Sequence, residues 1–325
     1  MSFQNMNRIA LLALFFFSLL LFSCRGGNGE APKTRSFAPV SVPSLISADE
    51  GKAQKYVIDH YWDRFADTSL RGFRCDSNFI GGVSRGELEQ AFANFAYVLE
   101  LDGLESYARA MKRFYEKMAL CEQVDSSSNI YEGMMDIACR YLYDPNSPLR
   151  DEEMYLPLCR RLASCPYQDS LSRVKFAKEA ENCSLNRIGQ TAADFSFSDR
   201  KGRVYRLHDI KADWTILFFS NPGCKACKDI IEYIKSIEGI TPMIIANHVA
   251  VVNVYIDEDL GEWYDYMPYY PKNWYNGYDH NLMVRSENLY DVRAIPSLYL
   301  LDKDKKVVLK DAPEDKFYAK LNQLL

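Results

Sequence analysis

The residues best placed to do chemistry are Cys224 and Cys227, in the stretch Asn221-Pro222-Gly223-Cys224-Lys225-Ala226-Cys227-Lys228. An apolar, β-favouring run from Trp214 to Ser220 leads into it, and Ile230, Ile231, Ile234 and Ile237 follow at helical spacing. A strand, a Pro-Gly turn and a helix that opens on two cysteines are therefore expected. A thiol at a helix N-terminus meets unpaired backbone N–H groups and the positive end of the helix dipole, both of which favour the thiolate. A second thiol three residues on lies within one turn, close enough to form a small disulfide. Cys224 is expected to be the exposed attacking thiol, its pKa held below that of a free thiol with help from Lys225 and Lys228. Cys227 is expected to be the buried resolving thiol. Two other uses of such a pair exist. A zinc site needs a second C-x-x-C or a His pair at ligand spacing, and the chain has neither. A pair of buried structural cysteines is the other, and it involves no chemistry.

The elements that must position this pair begin well downstream of the N-terminus. Residues 1–23 read as a signal peptide, with Arg8 in a short n-region and an apolar run from Ile9 to Phe22 that is too short for a comfortable membrane span. The run ends Leu21-Phe22-Ser23-Cys24, which resembles a bacterial lipobox and makes Cys24 the expected lipidated N-terminus. Lipid on Cys24 would anchor the chain to an envelope membrane, inner or outer. No acidic cluster follows Cys24, so a periplasm-facing lipoprotein is expected. Residues 24–45, rich in Gly, Pro and Ser, read as a flexible tether. The 302 residues left after residue 23 suffice for two domains. A net charge of −5 argues against a nucleic-acid partner. Of nine cysteines, six remain once Cys24, Cys224 and Cys227 are set aside: Cys75, Cys121, Cys139, Cys159, Cys165 and Cys183. In an oxidising compartment these could pair, or some could be buried small hydrophobes.

From 46 to 184 the pattern is helical throughout. Ser47-Ala48-Asp49-Glu50 and Ser84-Arg85-Gly86-Glu87 read as capping boxes. Leu88, Ala91, Phe92, Phe95, Val98 and Leu101 form one expected apolar face, and Leu104, Tyr107, Ala108, Met111, Tyr115 and Met118 another. Further helices are expected over 128–143, from Asp151 onward and over 169–182. His60 reads as a packing or surface residue, and no catalytic constellation stands out in this half. The segment from Tyr141 to Glu153, Tyr-Leu-Tyr-Asp-Pro-Asn-Ser-Pro-Leu-Arg-Asp-Glu-Glu, resembles a helical domain of unknown function that precedes thioredoxin-like domains in Bacteroidetes lipoproteins. That resemblance implies no activity.

Past a boundary near Asn186-Arg187-Ile188-Gly189, the run Gly189-Gln190-Thr191-Ala192-Ala193-Asp194-Phe195 resembles the G-x-x-A-P-D-F opening of TlpA/ResA-type and AhpC/TSA-type thioredoxin-like domains. Ala193 stands where their Pro does. A hairpin turning at 199–203, strands at 214–220, 249–255, 298–301 and 307–309, and a closing helix over 314–325 complete the expected α/β thioredoxin-like fold over 187–325, behind an all-α domain. The resemblance implies that Pro296 of Ile295-Pro296-Ser297 is cis and faces the C-x-x-C pair, with Ile295 offering backbone groups to an extended substrate chain.

Departures from that family bear on mechanism. Gly223 replaces its usual Trp, Phe218 stands where classical thioredoxins bury an Asp, and Ile230 where TlpA/ResA-like proteins often carry a Glu. The proton acceptor for the resolving thiol is thus missing, with Asp229 or solvent as substitutes. The segment 261–281 carries Trp263, Tyr264, Tyr266, Tyr269, Tyr270, Trp274, Tyr275 and Tyr278, either as a partner surface or as a cover for the core. A peroxiredoxin would need Pro and Thr where Leu217 and Asn221 stand. A Sco-like copper site could use His280, but that family spaces its cysteines C-x-x-x-C. The expected function is thiol–disulfide exchange with protein thiols and disulfides and a redox partner that recycles the pair, without cofactor or metal. The alternative is a non-catalytic lipoprotein that binds a partner and uses the thioredoxin fold as scaffold.

Overall fold

The computed structural model describes residues 32–324. Cys24, its expected lipidation and the signal segment lie outside the described residues. Among those described, no helix is long and apolar enough to cross a membrane.

Among the described residues, six helices build the first half: α1 (Glu50–His60), α2 (Arg85–Asp102), α3 (Leu104–Val124), α4 (Ile130–Tyr143), α5 (Glu152–Ala163) and α6 (Ser170–Cys183). They close around their own apolar core. In α2 the buried stripe is Leu88, Ala91, Phe92, Phe95, Ala96 and Leu99, a strict i, i+3, i+4, i+7 series, while the expected Leu101 is exposed. In α3, Ala110, Phe114 and Cys121 join Tyr107, Met111 and Met118 inside, and Leu104 and Ala108 lie outside.

Caps follow the sequence with one shift. Ser84 caps α2 by accepting the Glu87 N–H at 3.3 Å, but the Glu87 carboxylate accepts the Phe37 N–H at 2.8 Å instead of reaching back. The first expected box moves two residues on, because Asp49 rather than Ser47 caps α1. His60 bonds Asp63 at 2.7 Å and stacks on Tyr56, a surface packing role.

Two expectations for this half need correction. It is not helical throughout, since β1 (Phe79–Ile80) and β2 (Val83–Ser84) form a small antiparallel hairpin turning on Gly81 and Gly82. Both glycines have positive φ and both pack against side chains that a Cβ would strike. Nor does the tether reach residue 45 as free chain. Arg35 donates to the Gly81 and Phe65 carbonyls, each at 2.8 Å, and its guanidinium lies 4.4 Å over the Phe73 ring.

The second half is a seven-stranded sheet in the order β4-β3-β7-β6-β5-β8-β9. Its strands are β3 (Ser196–Ser198), β4 (Val204–Arg206), β5 (Trp214–Phe219), β6 (Val249–Tyr255), β7 (Tyr275–Tyr278), β8 (Ser297–Asp302) and β9 (Val307–Lys310). β5 and β6 run parallel and β8 runs antiparallel to β5, with Phe219 opposite both Val254 and Ser297. The central strands are buried on both faces, which accounts for their nearly unbroken apolar runs. Helices α7 (Lys225–Ser236), α8 (Ile240–Ile245), α9 (Leu260–Tyr266), α10 (Met283–Ser286) and α11 (Glu314–Leu324) complete the half. α7, α9 and α11 pack on the sheet face that carries Ile216, Phe218, Val251 and Leu300. The strand β7 was not expected. It arises within the aromatic segment, where Gly277 lets β3 approach so closely that a Cβ would strike the Phe197 ring.

The halves meet through buried charge. Glu152, at the start of α5, has a side chain only 3% exposed and pairs with Lys310 at 2.7 Å and Arg293 at 2.8 Å. Lys310, whose side chain is 2% exposed, also donates to the Cys183 and Leu185 carbonyls. Arg150 donates to the Asp311 and Ala312 carbonyls at 2.9 Å, and Glu153 takes Arg187 at 2.6 Å.

Burial, with the Glu152 charge beside it, pushes Asp311 up to about 6 despite Arg293 and Arg150. A carboxyl that holds its proton more tightly folded than unfolded adds stability in acid and loses it as pH rises through the folded value. Measured against Asp311→Asn by urea midpoints, the wild type should therefore lose up to about 3 kcal/mol of its stability between about pH 4 and about pH 6. Asp311→Asn should flatten that limb; an unchanged limb would refute the assignment. Lys310→Met leaves the Glu152 carboxylate short of a partner and should cost about 3–5 kcal/mol by the same measurement.

Candidate functional site

Cys224 is the N-cap residue of α7 and is half-buried, and its sulfur accepts the Cys227 N–H at 3.1 Å. The two cysteines are joined as a disulfide, with their Cα atoms 5.2 Å apart. Cys227 faces inward at 2% exposure, beside Ile230, Ile231 and Ile234. When the disulfide opens, the same N–H remains aimed at the Cys224 sulfur, where it favours the charged form. Lys225 does not supply the expected charge to the sulfur: its ammonium is turned to Asp229 at 2.7 Å.

Gly223, with φ of +72°, makes the turn that brings the chain from β5 into α7, and nothing lies within 4 Å of where its side chain would be. The turn is tied at its start. Asn221 donates to Asp257 at 2.6 Å, and Asp257 also takes Arg285 at 2.6 Å. Asn221 stood within the sequence motif without a role assigned to it, whereas Asp257 and Arg285 escaped sequence reading and no local motif marks them.

Ile295 and Pro296 come to the same end of the sheet. The Ile295–Pro296 peptide is cis and directly precedes Ser297, which pairs with Phe219 on β5. Cys224, Cys227 and Ile295 pack against one apolar cluster. The Ala294 and Ile295 backbone N–H and C=O groups have no hydrogen-bond partner among the described residues, and both residues are half-buried. Unpaired, accessible backbone beside a strand end is what an extended chain can pair with.

Asp229 cannot serve Cys227. Two residues on a helix are about 200° apart, so Asp229 is exposed on the outer face of α7 with Lys225. Phe218 and Ile230 are fully buried. The polar group on that face of the sheet is instead Asn253, opposite Phe218 in register. Its amide accepts from Ser220 at 2.5 Å and donates to Asn276 at 3.0 Å. As the one polar residue in the run 249–255, Asn253 was visible in the sequence and passed over there.

No group of three or more His, Cys, Asp or Glu residues, His280 included, is placed to hold a metal among the described residues. The other six cysteines are free thiols, of which Cys75 alone is exposed. Burial pushes Cys139 and Cys159 up to about 12, so they behave as small apolar groups. The aromatic segment covers the core: Trp263, Tyr270 and Trp274 are buried, whereas Tyr269 is exposed.

A family model described as a domain of unknown function (DUF5106) matches residues 23–186, and one described as thioredoxin-like matches residues 212–307. A crystal structure of a thioredoxin-like protein from Bacteroides caccae is 31% identical, covers 90% of this chain and 99% of its own, and superposes with a TM-score of 0.76. The C-terminal domain of an uncharacterized protein from Bacteroides fragilis is 42% identical over 42% of this chain and 98% of its own, with a TM-score of 0.40. Among curated proteins, the thiol-disulfide oxidoreductase ResA of Bacillus cereus is 27% identical over 130 residues, 38% of this chain and 69% of that protein.

Exposure separates the two sulfurs once they are reduced. A short pulse of iodoacetamide on reduced, folded protein should modify Cys224 at least about tenfold faster than Cys227, read by mass spectrometry. Equal rates would overturn the assignment of Cys227 as the inner thiol.

Proposed function

The chain belongs to the DUF5106 family and carries a thioredoxin-like region behind that domain, and we propose that it is a thiol–disulfide oxidoreductase acting at Cys224 and Cys227. One observation carries this reading: a half-buried sulfur at a helix N-cap, bonded to an inner sulfur, at the strand end where the Ala294 and Ile295 backbone is unpaired. In the reducing direction, the Cys224 thiolate attacks one sulfur of a substrate disulfide, forming a mixed disulfide. The other substrate sulfur leaves as a thiolate and takes a proton. Cys227 then gives up its proton and attacks the Cys224 sulfur, expelling the second substrate thiolate. Two electrons have passed to the substrate, and Cys224–Cys227 is again a disulfide. A dithiol donor must reduce it for another turn; a partner disulfide would drive the reverse course.

With Phe218 and Ile230 buried where the family carries acids, and Asp229 exposed, the Cys227 proton goes to solvent or to the departing thiolate. The substrate is a protein disulfide that lies extended along residues 294–296, using the backbone left open there. The chain is placed at a membrane facing the periplasm, held by lipid on Cys24; the lipobox-like Leu21-Phe22-Ser23-Cys24 supports this.

Equilibration of the protein against glutathione, with thiols trapped and counted, tests the function. A reversible two-electron titration is expected between about −270 and about −120 mV, and Cys224→Ser should abolish it. Cys227→Ser should accumulate a mixed disulfide on Cys224. Thiols that stay closed to exchange until the chain unfolds would refute catalysis and favour a binding lipoprotein.

A further inference from the structure

The loop that carries Ile295 and Pro296 has no regular secondary structure between Tyr290 and Pro296. Side chains therefore hold it in place, and many of them come from the helical half or its exit. Asn186 donates to the Leu289 carbonyl at 2.7 Å, and Asn182 accepts from Asn288 and donates to Asp291. The Tyr143 hydroxyl reaches Asp291 at 3.2 Å. Arg293 is the keystone, two residues before Ile295. Its guanidinium lies 4.0 Å over the Tyr143 ring, donates to the Tyr143 carbonyl, and takes Glu152 at 2.8 Å. From its own half, Asp311 takes the same nitrogen at 3.1 Å and accepts from Ser297 at 2.8 Å. Tyr143 in turn stacks on Tyr155, so α4 and α5 back the whole arrangement.

We infer that Glu152, on the helical half, is a positioning residue for the exchange site: through Arg293 it fixes the backbone of residues 294–296 against which an extended protein disulfide would lie. The helical domain would thereby act on catalysis without touching substrate. A planar guanidinium held on three sides by a carboxylate, a carbonyl and a ring can sit in one place only, and it carries the adjacent backbone with it. This inference rests on the disulfide-exchange function proposed above.

The test compares wild type with Glu152→Gln and, in case that variant folds poorly, Arg293→Lys, which keeps the charge but loses the fork and the stacking. Two substrates separate positioning from general damage: insulin, an extended protein disulfide, and 5,5′-dithiobis(2-nitrobenzoate), too small to span the loop. With Cys224–Cys227 first reduced by dithiothreitol and the reductant removed, both variants should react about tenfold more slowly with insulin in a single turnover, while the rate with the small disulfide and the reduction potential of Cys224–Cys227 stay unchanged. Glu152→Asp should recover part of the loss. Hydrogen exchange of the full-length protein should show the bonded amides of this loop, Leu289 and Val292, at least about fivefold faster in Glu152→Gln, with residues 214–236 unaffected. Equal losses on both substrates, or unaltered exchange of the loop, would overturn the inference. The exchange readout does not depend on redox activity. A wild type that reduces neither substrate would sink the proposed function, while loop exchange would still decide whether Glu152 holds the loop.

Discussion

Placing a carboxylate out of water at the junction of two folded units costs several kcal/mol unless cations meet it with good geometry. Glu152 is in that position, and the cations that meet it, Arg293 and Lys310, both belong to the sheet half. Lys310 is buried and Arg293 largely so, and the dependence is mutual. Pull the halves apart and each exposes groups that were arranged for the other, including the Cys183 and Leu185 carbonyls that take the Lys310 ammonium. Apolar packing alone would tolerate sliding by an ångström or two. A network of directional charged bonds does not, and it selects one relative orientation of the two halves.

That fixed orientation reaches the exchange site because Arg293 sits in the same short loop as Ile295 and Pro296. On the other side of the site, Asn221, Asp257 and Arg285 hold the turn before Cys224. The two walls of the site are thus braced from different directions, one by the helical half and one from within the sheet half. The reacting sulfurs themselves need little: a helix N-cap for Cys224 and an apolar surround for Cys227. The chemistry is local, whereas the geometry that would receive a substrate is assembled from residues far apart in the chain.

This division explains what could be read in advance. Cys224 and Cys227 declare themselves, because a strand, a turn and an amphipathic helix are all encoded within about twenty residues by period and turn chemistry. The cap at Ser84 is local in the same way, and it forms. Where the sequence misleads, a distant partner has taken over. Glu87 is drawn from its own cap to Phe37, Asp229 is claimed by Lys225, and the supposed tether is pinned by Arg35 to a hairpin some forty residues on. Leu101 and Leu104, read as core, lie where α2 passes into α3 and the apolar stripe has already rotated outward. Glu152 and Glu153 look like ordinary first-turn acids on a helix. Nothing within α5 reveals that their counter-ions come from residues 187, 293 and 310.

The aromatic segment shows the same logic inside the sheet. A seventh strand beside β6 makes β6 central, so any polar side chain on it loses access to water and must be paired within the protein. Asn253 meets that requirement only because β7 supplies Asn276 as acceptor, and Asn276 is held in turn by the Pro271 carbonyl at 2.7 Å. Trp263, Tyr270 and Trp274 close the space around this pair. The segment that interrupts the fold thus makes room for a neutral amide in cross-strand register with Phe218. A buried amide can hold Ser220 and the strand end in place, but it cannot take a proton from Cys227. The site therefore gains rigidity from Asn253 while leaving the proton of the resolving thiol to solvent and to the substrate's own departing sulfur.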